Sequence, residues 1–449
     1  MKHMPRPEVD SSVETKLTLI SLRAKSGPAY RFTSLAHLLN EGFLEQCHRS
    51  LGRNKATGVD GVSWEEYGEN LSENLHGLVT RLKAKQYRPL PARRVYIPKD
   101  ENSTRPLGIP VHEDKVVGKA VSLILESIYE EDFLDCSHGF RPNRGCQTAL
   151  KAVNEILLKK PINHVVEADI KGFFDTVSHE WMMKFLQRRI HDPGLLRIIG
   201  RFLIAGYKDS GLLVESVKGV PQGGTLSPML ANVFLHYVLD EWFEKEIKPQ
   251  VAGQCHLVRY ADDFIIMVQF KEEAHRMLEL LRNRFAQHGL VLHPDKTRVM
   301  SFGKYEGTNA EKQDRKANTF DFLGLTHYCT KSRHGGFLVG RVTAARKFRK
   351  KVGELYLWFK KQRNLLPLKE LWKKLSRKLH GHYAYYGISG NYRGIYRYYR
   401  CATRIAFKWL NRRSQRKSFN WEQFYLYMKK YPLPKPHIVH RLYTLSTVK

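Results

Sequence analysis

A chain of 449 residues with 42% hydrophobic side chains is long enough for two or three domains with cores of their own, and it is neither repetitive nor of low complexity. Its longest apolar stretches, such as Val116 to Ile124, are too short to span a bilayer, no secretory signal opens it, and its six cysteines lack zinc-site or disulfide-framework spacing, which leaves a soluble, cytoplasmic protein. Of its net charge of +31, +25 lies between Arg341 and Lys449, where 28 lysines and arginines face three acids; such self-repulsion points to a polyanionic partner, nucleic acid before membrane since no amphipathic anchor accompanies it.

Residues 1–50 read as a helical lead-in, with Leu35, Leu38, Leu39, Phe43 and Leu44 at helical spacing. A turn-rich loop follows at residues 55–61. Residues 92–98 alternate as a strand, Lys99 to Thr104 reads as a hairpin turn, and 105–110 as the return strand. Asp114 to Ser127 has the period of a helix. Asn163 to Ile170 is a β-rich run that closes on an acid, a helix starts near Ser178, and another runs from Met229 to Glu241. Leu257 to Phe270 reads as a hairpin with Ala261-Asp262-Asp263 as its turn. A helix from Glu272 to His288 stops at Gly289 and leads into a predicted strand, Leu290-Val291-Leu292. Strands interleaved with helices around a central hairpin predict an α+β sheet domain rather than a doubly wound one. Past about residue 340 the strand signals fade into Lys/Arg-rich helices. That change places a boundary near residues 325–345, at Gly335-Gly336 and Gly340.

The chemistry concentrates in the acids. Asp262 and Asp263 sit side by side at the tip of a hydrophobic hairpin, where each disfavours the other's ionisation and a turn needs only one of them. A turn with two aspartates is also an ordinary surface feature. A second acid, Asp169, ends a different β-rich run. Together a hairpin-borne pair and a strand-end acid make a hard-oxygen site suited to Mg²⁺, which takes a few carboxylates plus substrate phosphates. Two such ions about 3.5–4 Å apart activate a hydroxyl and stabilise a leaving pyrophosphate.

A series of motifs then appears in one order: Lys55-Ala56-Thr57-Gly58-Val59-Asp60-Gly61, Arg105-Pro106-Leu107-Gly108-Ile109-Pro110, Gly139-Phe140-Arg141-Pro142 and Ala168-Asp169-Ile170-Lys171-Gly172-Phe173-Phe174-Asp175. Pro221-Gln222-Gly223-Gly224-Thr225-Leu226-Ser227-Pro228, Tyr260-Ala261-Asp262-Asp263, Gly289 to Thr297 and Phe322-Leu323-Gly324 complete it. In these blocks the chain resembles the reverse transcriptases encoded by bacterial group II introns, the intron maturase family, over about residues 35–440. The resemblance implies a right-hand polymerase: a helical extension at 1–50, fingers and palm with an antiparallel-rich sheet at 51–330, and an α-helical thumb and RNA-binding maturase region at 331–449.

It also implies roles. Asp169, Asp262 and Asp263 would be the catalytic acids and, with the Ile170 carbonyl, hold two Mg²⁺ ions, with Mn²⁺ as a substitute. Phe174 would lie under the incoming sugar and exclude a 2′-hydroxyl, while Phe173 packs in the core. Arg105 and Lys99 would hold the triphosphate, since a guanidinium fork suits phosphate oxygens. Gln222 would contact the nucleotide beside glycines that allow close backbone approach, and Lys296 would lie near the acids. Lys99 and Lys296 read equally well as surface lysines.

In the basic region Tyr385, Tyr386, Arg393, Arg397, Arg400, Arg412 and Arg413 are the expected RNA contacts, since aromatics interleaved with arginines stack on bases and neutralise phosphates. Tyrosines at three and four spacing also pack inward, and about half are expected to be structural. The expected partners are an RNA template and a cognate intron RNA, a DNA primer or target, and deoxynucleoside triphosphates, at the nucleoid and not at a membrane. No paired cysteines and histidines follow Cys401, so a self-supplied zinc-bearing endonuclease is not expected. Two alternatives remain: a domesticated reverse transcriptase serving defence, repair or a CRISPR locus, and an RNA-binding maturase without polymerase activity.

Overall fold

A computed structural model describes residues 11–98, 104–414 and 418–443. The described residues open with helices α1 (Ser11–Ser26), α2 (Glu41–Ser50), α3 (Trp64–Glu69) and α4 (Leu71–Lys83). Asn40 caps α2 by accepting from the Phe43 amide, and Ser63 and Glu66 close a capping box on α3. Strands β1 (Ala92–Pro98) and β2 (Thr104–Ile109) pair antiparallel, as the alternation predicts; Lys99 and the rest of the proposed turn up to Ser103 lie outside the described residues. Next come α5 (His112–Tyr129), α6 (Cys146–Lys159), β3 (His164–Asp169), the short α7 (Phe173–Thr176), α8 (His179–Leu186) and α9 (Pro193–Ile204). Asp192 and Pro193 start α9, and a second Asp192 oxygen takes the Leu35 and Ala36 amides. That carboxylate, with α1 and α2 packed on α5, ties the N-terminal helices into the same core as the rest.

Strands β4 (Tyr207–Asp209) and β5 (Leu212–Val214) extend the first sheet to the order β2-β1-β4-β5. Helix α10 (Ser227–Leu235) runs on into two π-helical turns, His236–Asp240 and Phe243–Ile247, past the predicted end at Glu241. The central hairpin is β6 (Cys255–Tyr260) and β7 (Asp263–Val268), followed by α11 (Lys271–Gln287). The predicted strand at Leu290-Val291-Leu292 does not form. It contributes only one bridge, Ile170 to Leu292, because the free edge of β3 is taken by β8 (Arg298–Ser301). The second sheet therefore has the order β6-β7-β3-β8, antiparallel throughout.

After α12 (Glu306–Lys312), strands β9 (Thr319–Phe322), β10 (Leu325–Lys331) and β11 (Phe337–Thr343) form a third, antiparallel sheet. Gly335 and Gly336, read as a boundary, instead lie in the β10–β11 hairpin turn, where Gly335 has φ +81° and the Ser332 amide bonds the Gly336 carbonyl. Four helices close the described chain: α13 (Ala345–Gln362), α14 (Leu368–Tyr386), α15 (Tyr392–Leu410) and α16 (Trp421–Lys430). Among the described residues no helix is long and apolar enough to cross a membrane.

The side-chain alternation of the second sheet explains how these pieces join. Val166, Ala168, Leu257, Phe264, Ile266 and Val268 point into one core, shared with α1, α5 and α10. Val165, Val258, Ile265 and Met267 point the other way, into a core with Leu355, Leu371, Leu379 and Tyr398 of the C-terminal helices. The basic helices thus share one core with that face of the acid-bearing sheet, a core in which α6 packs on β6 and β11, and α15 on β11.

Candidate active site

The acids are placed by strand register. Asp169, the last residue of β3, lies directly across from Asp263, the first of β7. Tyr260 pairs with Asp263, so only Ala261 and Asp262 form the hairpin loop. Ala261 has φ +56°, the positive first position of a tight two-residue turn that glycine normally fills. Beyond β3 the Lys171 amide bonds the Val291 carbonyl and the His293 amide the Asp169 carbonyl, at 2.8 and 2.7 Å. These bonds flank Ile170 and leave its carbonyl out of the bridge.

One cleft of about 860 Å³ is lined by Arg105, Asp169, Ile170, Phe174, Gln222, Asp262, Asp263 and Lys296. Every residue predicted for metal or nucleotide binding meets there except Lys99, which lies outside the described residues. Burial, then the charges of Asp262 and Asp169, push the Asp263 carboxyl up to about 7. Asp262 is raised too, by burial and by Asp169, against the pull of Arg105 and Arg259. Lys296 Nζ donates to Asp169 Oδ2 at 2.5 Å. An all-oxygen donor set under mutual repulsion, with one lysine as direct counter-charge, fits a hard divalent cation. Among the described residues no three His, Cys, Asp or Glu side chains gather into a ready-made metal cage. Mg²⁺ needs none, because it retains waters and shares its shell with substrate phosphates.

The other walls of the cleft are as specific. Phe173 is buried, its ring 6.3 Å from that of Phe234, while Phe174 is half-buried and faces the cleft. The Gly108 amide bonds the Gln222 carbonyl at 2.6 Å, and Gly223, at φ +113°, sits so close that a Cβ would come within 2.6 Å of the Gly108 carbonyl. Glycine is required there, and it seats the Gln222 segment against β2 beside Arg105. Four cations that the sequence reading passed over, Lys171, Arg298, Arg346 and Lys347, also line the cleft. Burial, then Lys350, Arg346 and Arg105, lower the Lys347 ammonium. Its only signal was membership of the basic run after Arg341.

The predicted RNA contacts divide. Tyr385 is part-exposed, with its hydroxyl on the Leu323 carbonyl at 3.1 Å, and Arg393, Arg397, Arg400 and Arg412 are exposed. Arg397 lies over Phe348, Arg412 over Trp409, and half-buried Arg413 donates to the Leu366 carbonyl. Tyr386 is a correction. It is buried, its ring 4.8 Å from His382 and its hydroxyl against Gly324, so it packs α14 and presents no face to RNA. Tyr383 and Tyr398 are buried likewise, whereas Tyr392 and Tyr396 are exposed.

Comparison with known proteins agrees with this geometry. Residues 97–327, just over half the chain, match the family described as reverse transcriptase (RNA-dependent DNA polymerase), a span that holds all three aspartates. Protein YkfC of Escherichia coli (strain K12) is 33% identical over 320 residues, covering 62% of this chain and 81% of that protein. The group II intron-encoded protein LtrA of Lactococcus lactis subsp. cremoris is 33% identical over 287 residues, 61% of this chain and 47% of its own. The putative COX1/OXI3 intron 1 protein of Saccharomyces cerevisiae is 36% identical over 181 residues, 40% of this chain and 21% of its own. The chain thus spans about half the length of LtrA and less of the yeast relative. It belongs to the reverse transcriptase family and is similar to proteins that group II introns encode.

Proposed function

We propose that the chain is an RNA-directed DNA polymerase with a right-hand arrangement. The first sheet serves as fingers, the β6-β7-β3-β8 sheet as palm, and α13–α16 as thumb and RNA-binding region. The observation that carries this reading is the apposition of Asp169 and Asp263 across one strand pair, with Asp262 in the adjoining turn, inside a cleft that also holds Arg105, Phe174 and Gln222. Asp169 and Asp262, with Asp263 and the Ile170 carbonyl, are the groups to hold two Mg²⁺ ions or Mn²⁺ in their place. When bound, the ions supply activation of a primer 3′-hydroxyl and stabilisation of the leaving pyrophosphate.

The remaining work falls to side chains. Arg105 clamps the triphosphate, joined by Lys347 and Lys171 on the cleft wall. The Gln222-Gly223 backbone lies close to the base and sugar. Lys296 neutralises Asp169 while no cation does. Phe174 stands under the sugar, so replacing it with Ala is expected to admit ribonucleotides, raising their incorporation relative to deoxynucleotides by about tenfold or more. Single-nucleotide extension with matched dNTP and rNTP pairs measures this ratio, and an unchanged ratio removes Phe174 from the gate.

The test of the whole reading is primer extension by purified protein on an RNA template with Mg²⁺ and deoxynucleotides. DNA synthesis is expected. A second role, binding an intron RNA and assisting its splicing and mobility at the nucleoid, is favoured by the basic exposed face of α15 and by similarity to a group II intron-encoded protein. If the protein binds structured RNA tightly and extends nothing, that role stands alone as a maturase. A domesticated polymerase in defence, repair or a CRISPR locus would extend primers without dependence on an intron.

A further inference from the structure

Arg259 is fully buried, two residues before the loop residue Ala261 and three before Asp262. All five of its N–H donors are used. Nε donates to Asp240 Oδ1 at 2.7 Å; Nη2 donates to Asp240 Oδ2 at 2.5 Å and to Ser137 Oγ at 2.7 Å. Nη1 donates to Asn232 Oδ1 at 3.1 Å and to the Ala261 carbonyl at 3.0 Å. Asp240, Asn232 and Ser137 are themselves without exposure. A buried ion pair brings little net stability over a well-packed apolar replacement, so five satisfied donors here call for a purpose other than holding the fold together.

The bond to Ala261 supplies one. A residue with a Cβ keeps φ +56° only where its surroundings dictate it. On one side the turn is gripped by Arg259. On the other lies Gly139, packed so closely that a Cβ would be 2.4 Å from the Ala261 nitrogen. The Gly139 carbonyl in turn accepts from Asn232 Nδ2 at 2.7 Å. The backbone at residues 136–138 is bonded to Arg259, His138 amide to Arg259 carbonyl and Arg259 amide to Cys136 carbonyl, at 2.8 and 2.7 Å. Asn232 lies on α10 and Asp240 on its π-helical continuation, a wide turn of the kind that gathers at functional positions. The same helix begins at Ser227, whose hydroxyl bonds the Pro221 carbonyl beside Gln222 at 2.5 Å.

We propose that Arg259, oriented by Asp240, Asn232 and Ser137, is a positioning residue that holds the left-handed turn at Ala261 and so aims Asp262 at its metal-binding position. The proposal rests on the polymerase reading above. It makes α10 the common mount of the site: its start fixes the Gln222 segment, and its far end fixes, through Arg259, the turn of the acids.

Arg259→Lys tests it by keeping the charge and losing the planar fork. Ser137→Ala removes one acceptor from the same fork and leaves the ion pair. On the full chain with primer and template, extension rate is measured against Mg²⁺ concentration, Mn²⁺ binding by electron paramagnetic resonance, and melting temperature alongside. Arg259→Lys is expected to raise the Mg²⁺ half-saturation and weaken Mn²⁺ binding by about 10–100-fold, as loss of a partner behind a metal ligand does. The KM for deoxynucleotide should stay within about twofold, and high Mg²⁺ should restore part of the rate. Ser137→Ala should move the same quantities in the same direction by a smaller factor. A lowered melting temperature with the metal titration of the wild type would show a purely structural role and overturn the proposal. If Arg259→Lys does not fold, the Ser137→Ala titration decides alone. A wild type that binds Mn²⁺ but extends no primer refutes the polymerase reading instead, and the Mn²⁺ comparison still judges Arg259.

Discussion

Asp262→Asn is expected to lower primer extension by about 10³-fold, because a metal-held charge in such a site supplies several kcal/mol and each 1.36 kcal/mol is a factor of ten in rate. The side chain lies at the tip of the β6–β7 hairpin, which β3 anchors along β7, so the fold has no need of its charge. RNA affinity should be unchanged, since the basic surface is elsewhere. The paired variant Asp263→Asn should show the structural cost of keeping acids together. In the folded chain the Asp263 carboxyl is raised to about 7, from an ordinary 3.8, by burial and by its two acidic neighbours. Because the folded value exceeds the unfolded one, Asp263 contributes its stability below about pH 4 and loses it as pH rises toward 7. Metal-free Asp263→Asn should therefore gain stability over the wild type increasingly between those values, then level off, by on the order of 1–3 kcal/mol. Thermal unfolding at pH 4, 6 and 8 in a chelator measures this. A gain that is the same at every pH, or a loss that grows with pH, would mean the acids do not repel one another as placed. An extension rate within tenfold of wild type for Asp262→Asn would remove that residue from catalysis.

The acids and their neighbours were legible in the sequence because each carries its signal locally. Asp169 closes a β-rich run, Asp262 and Asp263 crowd one turn, and Gln222 stands beside glycines that a close approach demands. What supports them was not legible. Ser137, Asn232, Asp240 and Arg259 are ordinary polar residues in three separate stretches, and only the fold turns them into one network. Lys347 was hidden for the same reason, since nothing in a basic helix says which lysine faces the cleft. The failed strand at Leu290-Val291-Leu292 shows the limit of pattern. Three apolar residues after a helix resemble a strand, yet Val291 is largely exposed, and the β3 edge is filled by Arg298–Ser301, whose weaker pattern drew no notice. Gly335-Gly336 signalled a turn, and the β10–β11 hairpin supplies it, because a glycine pair marks where the backbone bends. Tyr385 and Tyr386 are adjacent on one helix, and only packing decides that the first keeps an open face while the second is buried.

Replacing Arg393, Arg397 and Arg400 together with Gln is expected to weaken binding of structured RNA by about tenfold or more and to reduce the slope of log affinity against log salt by about 2–3, near one per lost phosphate contact. Deleting residues 341–449 is the wrong way to ask this question. Leu355, Leu371, Leu379 and Tyr398 belong to the same core as Val165, Val258, Ile265 and Met267 of the acid-bearing sheet, so a truncated chain would lose a large part of that core along with the charge. The three arginines are exposed on α15, whose inward face of Ile395, Tyr398, Ala402 and Ile405 is untouched by the change. Removing like charges from a region this basic should, if anything, ease self-repulsion. A control pair, Arg276→Gln and Arg282→Gln on α11, removes arginines that already face Glu273 and Glu279, and it should leave both affinity and slope unchanged. If the α15 triple variant keeps the wild-type slope while the control pair loses it, the RNA path runs over α11 and the interleaved tyrosines and arginines of α15 are packing and solvent surface. If the triple variant alone loses slope, and primer extension on a short template stays near wild type, then the basic helices hold RNA at a distance from the acids, as a polymerase that also grips a structured intron requires.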